Sequence, residues 1–461
     1  MSVCTMRSSF FALYKVKRLL GIDRAVSLTV FGRMYSALTS AVTVIIVSRL
    51  MSPIEQGYYY AIWSLWSLQT IFELGFSFVI LQAAAHESAH LIRDQKGCFI
   101  GDTRSIQRLA HLLKTIQRWY LTAALIMVVS LYLWGYHFFS TKPNVGIHWH
   151  LPWVLTVLAA GLMFQIDPTV SFMEGCGYVS DVAMQKTIQS VVGSFVAWSC
   201  IATHHGLYAP GLLIMVQAGT GVVFFYRHRH FLLQIWKTES MQNTINWRQE
   251  IFPFQWRVAL TWLSNYIPSI LFTPLLFSVS GPVIAGQMGL SININLSLGL
   301  IALSWMSTKA APFGTLVAKG EIQVLDRLFF KTLRQSTALV TLGAVTAFAG
   351  ILLLNRYVPS VGHRMLSPSV FVFLLIATIC NHIVQSEALY LRSYKKEPFL
   401  YMSVSIAGLM ALCSWYTAHR YGVHGIALSY FSFSGVLSLL CGSAIFFACR
   451  HKWKKEYEAH V

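Results

Sequence analysis

Charged residues are scarce in this chain of 461 residues. Asp, Glu, Lys and Arg make up 11% of it, against about 25% in an average soluble protein. Hydrophobic residues make up 55%, and the mean hydropathy is +0.56. So few charges cannot cover a protein of this length in water, and most of its surface must therefore face lipid. Glycine, proline and cysteine are all unexceptional, which excludes collagen-like, disordered and disulfide-stapled chains.

Sequence signatures of catalysis and of metal binding are also missing. The eight cysteines form no C-x-x-C pair, so neither a zinc site nor a disulfide framework is indicated. No G-x-x-x-x-G-K-[ST] sequence is present, so any energy must come from a gradient or from the substrate rather than from ATP. No nucleophile and base stand at a recognisable spacing. We therefore expect no enzyme activity, no cofactor and no metal.

Acidic residues are scarcer than basic ones. Lys and Arg number 35 and Asp and Glu 17, which gives a formal net charge of +18 and a pI of about 9.6. In a soluble protein this excess would indicate nucleic-acid binding. Here no basic stretch is long enough to fold apart from the apolar segments. The excess is instead typical of cytoplasmic loops in a membrane protein, and nucleic acid is not an expected partner.

Apolar runs long enough to cross a bilayer recur along the chain. About 20 residues at a rise of about 1.5 Å span the roughly 30 Å hydrocarbon layer. This criterion predicts an all-α integral membrane protein with twelve transmembrane helices. The predicted spans are 26–48, 58–82, 119–139, 152–173, 183–203, 209–226, 258–279, 284–308, 336–354, 369–389, 399–418 and 425–448.

The basic residues predict the orientation of these helices. Lys and Arg are enriched in cytoplasmic loops. Alternate loops of the chain hold only Arg49, Lys142, Arg356, Arg364 and Arg420, and the remaining loops and both termini hold nearly all the others. We therefore predict that both termini are cytoplasmic, and we name the two ends of the helix bundle inner and outer accordingly. The outer connections are short, so the protein should act within the bilayer.

The two halves of the chain resemble each other. The sequence from Ser52 to Gly57 precedes the second span, and a similar one from Gly281 to Gly286 precedes the eighth. Two six-helix lobes of the same topology, around a central cavity, would follow from such a repeat. Chance similarity between Gly/Pro turns is the alternative. The predicted parts are a basic N-terminus (1–25), an N-lobe (26–226), a linker (227–257), a C-lobe (258–448) and a basic tail (449–461).

Two carboxylates lie inside predicted spans. Ionisable side chains at membrane depth cost about 2.5–3.5 kcal/mol on insertion scales, and they usually face a cavity or a partner. Glu73 lies in the second span, on one stripe with Gln69, and Asp167 lies in the fourth, directly before Pro168. We predict that Glu73 and Asp167 bind the coupling proton or Na⁺. The alternative is that interhelical hydrogen bonds satisfy each of them.

Further polar residues are candidates for the wall of a substrate cavity. Arg33 lies inside the first span and would attract an anionic group, although it could instead reach the inner headgroups. Gln69 is the second candidate, and Asn265 lies close to prolines that should bend the seventh span. Ser291 and Asn295 share a stripe of the eighth. For His382 and Glu387, in the tenth span, interhelical hydrogen bonding is the favoured interpretation.

The first two spans resemble a known family. The residues from Arg49 to Tyr59 read RLMSPIEQGYY, and they are followed by LQTIFELGF at residues 68–76 and by Gln82. This sequence resembles the Wzx-type flippases, the polysaccharide-transporter branch of the multidrug/oligosaccharidyl-lipid/polysaccharide exporter superfamily. The resemblance implies outward flipping of a polyprenyl-diphosphate-linked oligosaccharide, such as an O-antigen or exopolysaccharide repeat unit. It implies alternating access driven by H⁺ or Na⁺.

Three functions therefore stand as hypotheses. The first is this lipid-linked oligosaccharide flippase, in the bacterial inner membrane, with membrane lipids and polysaccharide-assembly proteins as its neighbours. The second is an ion-coupled multidrug exporter of the same superfamily. The third, a membrane glycan polymerase or ligase, is disfavoured because such an enzyme should present a long outer loop.

Overall fold

The protein is helical along almost its whole described length. The computed structural model describes residues 24–73, 75–88, 91–94, 97–141, 146–239, 256, 260, 264, 271–309, 312–313, 316–317, 320–394 and 396–458. The helices up to residue 237 are α1 (Arg24–Leu50), α2 (Pro53–Trp66), α3 (Gln69–Glu73), α4 (Phe76–Ser88), α5 (Thr103–Ser140), α6 (His150–Gly175), α7 (Val179–Ala202), α8 (Ala209–Arg227) and α9 (Arg229–Lys237). The later ones are α10 (Leu271–Ser280), α11 (Pro282–Ser307), α12 (Ile322–Tyr357), α13 (Pro359–Gly362), α14 (Pro368–Arg392), α15 (Leu400–Tyr430) and α16 (Ser438–Glu458).

Seven helical stretches in the described residues are long and apolar enough to cross a membrane. They are Thr103–Ser140, His150–Gly175, Gly206–Arg227, Pro282–Ser307, Ile322–Tyr357, Pro368–Arg392 and Leu400–Trp453. Each agrees in position with predicted spans, and the last covers two of them. The many exposed leucine, valine and tryptophan side chains along these helices are explained by contact with lipid.

The second predicted span, 58–82, is not one helix. It is divided into α2, α3 and α4, and Gly75 between the last two has a φ of +69°. A residue with a side chain rarely adopts this conformation, so glycine is needed where the helix direction changes. Hydrophobicity continues through the break, which is why the prediction of an unbroken span was wrong.

Two helices extend beyond their predicted spans toward the inner end. The basic stretch Arg104–Arg118 continues without interruption into the third span as the 38-residue α5. Residues 322–334 likewise continue into the ninth span as the 36-residue α12. Since about 20 residues cross the hydrocarbon layer, each helix extends well beyond the inner membrane surface.

The helix that contains the last two spans is interrupted at one residue, Gly422. Gly422 has φ +57° and ψ −134°, and it changes the chain direction within residues 400–430 at the position predicted as the outer turn. Further on, Phe431–Leu437 form a π-helix that joins α15 to α16. The predicted basic tail 449–461 is helical as far as Glu458, and its last residues lie outside the described part.

The described helices pack in two groups. In the amino-terminal group, residues 24–237, α6 packs against α4, α5 and α8, while α7 packs against α1 and α8. In the carboxy-terminal group, residues 271–458, α14 packs against α11, α12, α15 and α16. The predicted linker 227–257 begins with α9, a helix of the amino-terminal group, and residues 240–255 lie outside the described part. The predicted terminus 1–25 lies outside it up to residue 23.

The inner end of the amino-terminal group carries a small cap. Strands β1 (Ile92–Arg93) and β2 (Phe99–Ile100) form an antiparallel hairpin, with Ile92 paired to Ile100. The Phe99 amide donates to Gln234 Oε1 over 2.8 Å, and the rings of Phe99 and Phe231 meet edge to face. The hairpin therefore fixes the amphipathic α9 across the inner end of α5.

Candidate functional site

The structure brings the two predicted carboxylates into one cluster. Glu73 and Asp167 are half-buried, and each lies within electrostatic range of the other and of Tyr120 on α5. Lys186 on α7 is also within range of Asp167, but it forms a salt bridge of 2.9 Å with Glu174. The cluster therefore combines two acids and a buried tyrosine inside the amino-terminal group.

Breaks in regular helix geometry position both acids. Glu73 is the last residue of α3, and the chain changes direction two residues later at Gly75. Asp167 precedes Pro168, whose ring removes one N–H donor from α6. Discontinuous helices place backbone carbonyls and side chains where an ion can reach them. The arrangement can thus bind a proton or a small cation.

A chain of amides links α5 to α6 at the level of Asp167. Gln165 Nε2 donates to Gln117 Oε1, and Gln117 Nε2 donates to Thr169 Oγ1, from the face of α6 that Gln165 and Thr169 share. The predicted cavity residue Gln69 is half-buried at the start of α3, one helical turn from Glu73. Together these residues make a polar interior that hydrophobicity alone does not suggest.

The carboxy-terminal group contains a cavity of about 210 Å³ between α11, α14 and α15. Asn295 on α11 lines it and donates to the Ser291 carbonyl over 2.9 Å. Thr378 Oγ1 donates to Asn295 Oδ1 over 3.1 Å from the opposite wall. The rest of the wall mixes apolar side chains with polar ones such as His382, Gln385 and Ser403, so the cavity suits an amphiphilic molecule with several hydrogen-bonding groups.

A second polar cluster of this cavity surrounds the π-helix. Asn381 Nδ2 donates to Ser434 Oγ over 2.9 Å and to Tyr430 Oη over 3.2 Å. The wide turn at Phe431–Leu437 brings Ser434 toward α14. Single π-helical turns inside α-helices are frequent at functional sites. Neither Asn381 nor the π-turn was singled out as a cavity feature from the sequence.

Of the remaining predicted residues, His382 also lines the cavity of the carboxy-terminal group. The side chain of Arg33 and the whole of Asn265 lie outside the described residues. Ser291 is buried, and its hydroxyl accepts from the Leu366 amide over 3.2 Å, so it supports the loop before α14. As expected, interhelical hydrogen bonds engage the tenth-span pair: His382 Nε2 contacts Ser336 Oγ at 2.9 Å, and Ser443 donates to Glu387 Oε1 over 2.8 Å.

The two groups of helices meet at the outer end through glycines, at a place we call the glycine contact. It consists of Gly57 and Tyr60 on α2 with Pro282, Gly286 and Gly289 on α11. A Cβ at Gly57 would lie 2.0 Å from the Pro282 carbonyl oxygen, and one at Gly289 would lie 2.4 Å from Tyr60 Cβ. The repeat pairs Gly57 with Gly286 and Tyr60 with Gly289, so equivalent residues meet, as at a twofold axis.

Hydrogen bonds reinforce this contact. Gln56 Nε2 donates to the carbonyls of Gly286 and Arg364, over 3.0 and 3.1 Å. Nearer the middle, Ser40 Oγ donates to Asn293 Oδ1 over 2.6 Å and lies 2.9 Å from Ser297 Oγ. These bonds between the two groups lie in the outer half and the middle of the bundle. In the described part of the chain, the groups are therefore held together there.

The family-like sequence at residues 49–59 has a structural explanation. Ser52 accepts from the Glu55 amide, and Glu55 Oε2 accepts from the Ser52 amide, so the two form a capping box at the start of α2. Gln56 and Gly57 belong to the contact between the groups. The motif therefore forms the outer turn before α2 and part of the contact between the two groups of helices.

Comparisons with solved structures identify the fold. The eukaryotic MATE transporter AtDTX14 superimposes with a TM-score of 0.60 at 12% identity, over 94% of this chain and 100% of that one. The MATE multidrug transporter DinF-BH, solved with a bound ligand, gives 0.56 at 14% identity, over 93% and 96%. An inward-facing multidrug resistance MATE family transporter of the MOP superfamily gives 0.56 at 12% identity, over 91% and 99%.

No protein-family model matches the sequence, and no curated protein sequence matches it. The structural similarity nevertheless covers nearly the whole chain. The protein therefore has the twelve-helix, all-α membrane fold of the MATE transporters, which confirms the predicted fold class, while the cytoplasmic position of both termini stays a prediction. These structural neighbours are transporters of the superfamily to which the Wzx-type branch also belongs.

Proposed function

We propose that the protein is an ion-coupled exporter that works by alternating access. The pairing of Glu73 and Asp167 at two helix breaks carries this proposal. Two negative charges repel strongly in an environment of low dielectric constant. Binding of a proton or Na⁺ to the pair removes that repulsion, so an ion gradient can change how α3 lies relative to α5 and α6.

The glycine contact is the second element of the mechanism. It joins the two groups at the predicted outer end, and the hydrogen bonds given above between described residues of the two groups lie there and in the middle rather than at the inner end. A substrate would enter from the inner side, and ion binding at Glu73 and Asp167 would favour opening of the contact between α2 and α11. The described conformation is then the inward-open state.

Small amphiphilic organic compounds are the substrate class that the cavity suits best. Its wall combines apolar side chains with hydrogen-bonding groups, among them the amides of Asn295 and Gln385 and the Asn381 cluster. MATE multidrug transporters share the fold, and one of them was solved with a bound ligand. Multidrug export is therefore our first candidate.

Flipping of a lipid-linked oligosaccharide is the second candidate, favoured by the sequence resemblance at residues 49–59. The capping box and the glycine contact account for those residues without any substrate, which weakens this support. The described lining residues of the cavity in the carboxy-terminal group also include no Lys or Arg, although a diphosphate would need cationic partners.

Transport by the purified protein in proteoliposomes tests the proposal. Ethidium should move against its concentration gradient when a H⁺ or a Na⁺ gradient is imposed, and an ionophore that collapses the gradient should stop it. A fluorescent polyprenyl-diphosphate oligosaccharide is tested in parallel. Movement of that lipid alone would favour the second candidate, and movement of neither probe under any gradient would contradict both.

A further inference from the structure

A groove of about 350 Å³ opens between α7 and α8 on the side of the amino-terminal group. Its walls are mainly apolar and include Ile188, Val216 and Val223, of which Ile188 and Val223 are exposed. At Gly219 an added Cβ would meet no atom within 4 Å, so the groove is open there. It is separate from the carboxylate cluster and from the cavity of the carboxy-terminal group.

The groove also contains a buried polar side chain, that of Gln185. The residue is 5% exposed and lines the groove, and within the described residues neither Oε1 nor Nε2 has a hydrogen-bond partner. Burying an amide without partners costs about 1–3 kcal/mol by mutational data. A ligand with a carbonyl or hydroxyl group at this depth would remove that cost.

The mouth of the groove, at the predicted inner membrane surface, is positively charged. Arg227 is exposed there at the end of α8. Two more guanidinium groups lie nearby, that of Arg229 over the ring of Tyr226 and that of Arg93 over the ring of Tyr178. Asp181 is the acid at the mouth, and its carboxylate lies 3.9 Å from His228 Nε2. Burial lowers the pKa of His228, so the ring is neutral at pH 7 and the arginines set the sign of the charge.

We propose that this groove binds one acyl chain of an anionic glycerophospholipid. The phosphate lies at Arg227, and an ester carbonyl accepts from Gln185 Nε2. Gln185 is four residues from Asp181, so it lies ~6 Å deeper than the mouth at the helical rise per residue. The ester carbonyls of a glycerolipid lie at about this level below the phosphate. The acyl chain of the lipid then lies along Val216 and past Gly219.

A lipid that binds the native state raises its melting temperature. In detergent, phosphatidylglycerol should raise the Tm of the full-length protein in a saturable way, and phosphatidylcholine should not. Arg227→Ala should raise the half-saturating concentration about fivefold, since one basic residue near anionic lipid contributes about 1 kcal/mol. Arg227→Lys, which keeps the charge, should restore most of the binding.

Two more variants test the depth of the site. Gln185→Leu should weaken the response to phosphatidylglycerol while leaving the lipid-free Tm equal or higher, because an unpartnered amide is removed. Gly219→Leu should fill the groove and abolish the response. The matched controls are Gln335→Leu on α12 and Gly350→Leu, both away from the groove, and they should respond like the wild type.

Three results would overturn the proposal. One is an equal response of the wild type to phosphatidylcholine and phosphatidylglycerol. Another is a wild-type response in both Arg227→Ala and Gln185→Leu. The third is saturable binding of undecaprenyl phosphate at these residues with none of phosphatidylglycerol. None of them bears on the transport assay with ethidium, so the proposed function stands or falls separately.

Discussion

At the scale of single residues, the proposed coupling depends on Glu73 and Asp167. Glu73→Gln and Asp167→Asn remove one negative charge each and keep the shape of the side chain. Each should reduce gradient-driven ethidium transport at least tenfold, because the pair can no longer exchange its ion. Exchange of ethidium without a gradient should persist, and stopped-flow fluorescence on proteoliposomes measures both.

Matched controls are available for both substitutions. Glu321→Gln changes an exposed acid before α12, and Asp102→Asn changes an exposed acid that caps α5. Asn caps helices as well as Asp does, so the second control should fold normally. If Glu73→Gln and Asp167→Asn transport as well as these two controls, the carboxylates do not couple transport to an ion.

A second residue-scale prediction concerns stability of the carboxy-terminal group. Arg450 donates two hydrogen bonds to the Asp326 carboxylate, over 2.9 and 2.6 Å, and Tyr390 Oη donates a third over 2.8 Å. The Asp326 side chain is 13% exposed. Arg450→Ala should therefore cost about 2 kcal/mol, the range for hydrogen bonds to a charged group. The Tm in detergent should fall measurably.

The exposed ion pair of Arg392 and Glu397 is the control for the loss of stability predicted for Arg450→Ala. Its side chains are 47% and 30% exposed, and surface ion pairs contribute about 0–1 kcal/mol. Arg392→Ala should therefore change the Tm much less than Arg450→Ala. Equal effects of the two substitutions would show that burial of Asp326 does not determine the contribution of its partner.

At the scale of elements, the glycine contact should control the closing of the outer end. Gly57→Val places a branched side chain where a Cβ alone would already meet the Pro282 carbonyl. The helices α2 and α11 must then separate, so the outward-open state should be favoured and transport should fall at least tenfold. Reaction of an introduced cysteine, Tyr60→Cys, with an impermeant maleimide from the outer side measures the opening.

Glycines elsewhere provide the controls for this prediction. At Gly350 and Gly408 an added Cβ would meet nothing within 4 Å, so Gly350→Val and Gly408→Val should leave transport intact. Equal maleimide reaction in Gly57→Val and in both controls would contradict a role of the contact in closure.

The turn at Gly422 gives a prediction for the last two spans. Its φ of +57° with ψ of −134° is a conformation that costs other residues about 1–3 kcal/mol. Gly422→Ala should therefore lower the Tm in detergent, whereas Gly408→Ala should not. An unchanged Tm in Gly422→Ala would mean that the turn adapts to a helical conformation.

Element positions were predictable from the sequence to different degrees. Apolar runs located the spans, because a lipid-facing helix is hydrophobic over a fixed length. The division of the second span at Gly75 was not predictable, since a lone glycine within a span does not by itself mark a helix break. The clustering of Glu73 with Asp167 depends on how α5 packs against both α3 and α6, which no local pattern encodes. The same is true of Asn381 and the π-turn.

At the scale of the whole molecule, the orientation of the bundle is a prediction from its basic residues. A reporter enzyme active only in the cytoplasm, fused after Glu458, should be active, and one fused in the turn at residues 280–282 should be inactive. The reverse pattern would exchange the inner and outer ends. The glycine contact would then close the cytoplasmic side, and the direction of transport would have to be reconsidered.

The fold limits what the molecule can do as a whole. Over nearly its full length the chain has the architecture of MATE transporters, and equivalent residues of its two halves meet at the glycine contact. Such an arrangement allows the two groups to rock about the middle of the bundle. In the proposed mechanism, the carboxylates of one group bind the ion and the uncharged cavity of the other binds the substrate.

The distance between the inner ends of the two groups tests this account most directly. Spin labels at Arg104→Cys and Arg327→Cys, in a background without the native cysteines, report it by electron–electron resonance, and the pair Arg104→Cys with Lys186→Cys serves as a control within one group. We predict two populations of distances between the groups. A change of pH or Na⁺ concentration should change their proportions in the wild type but not in Glu73→Gln. One fixed distance, unchanged by any ion or by ethidium, would contradict alternating access.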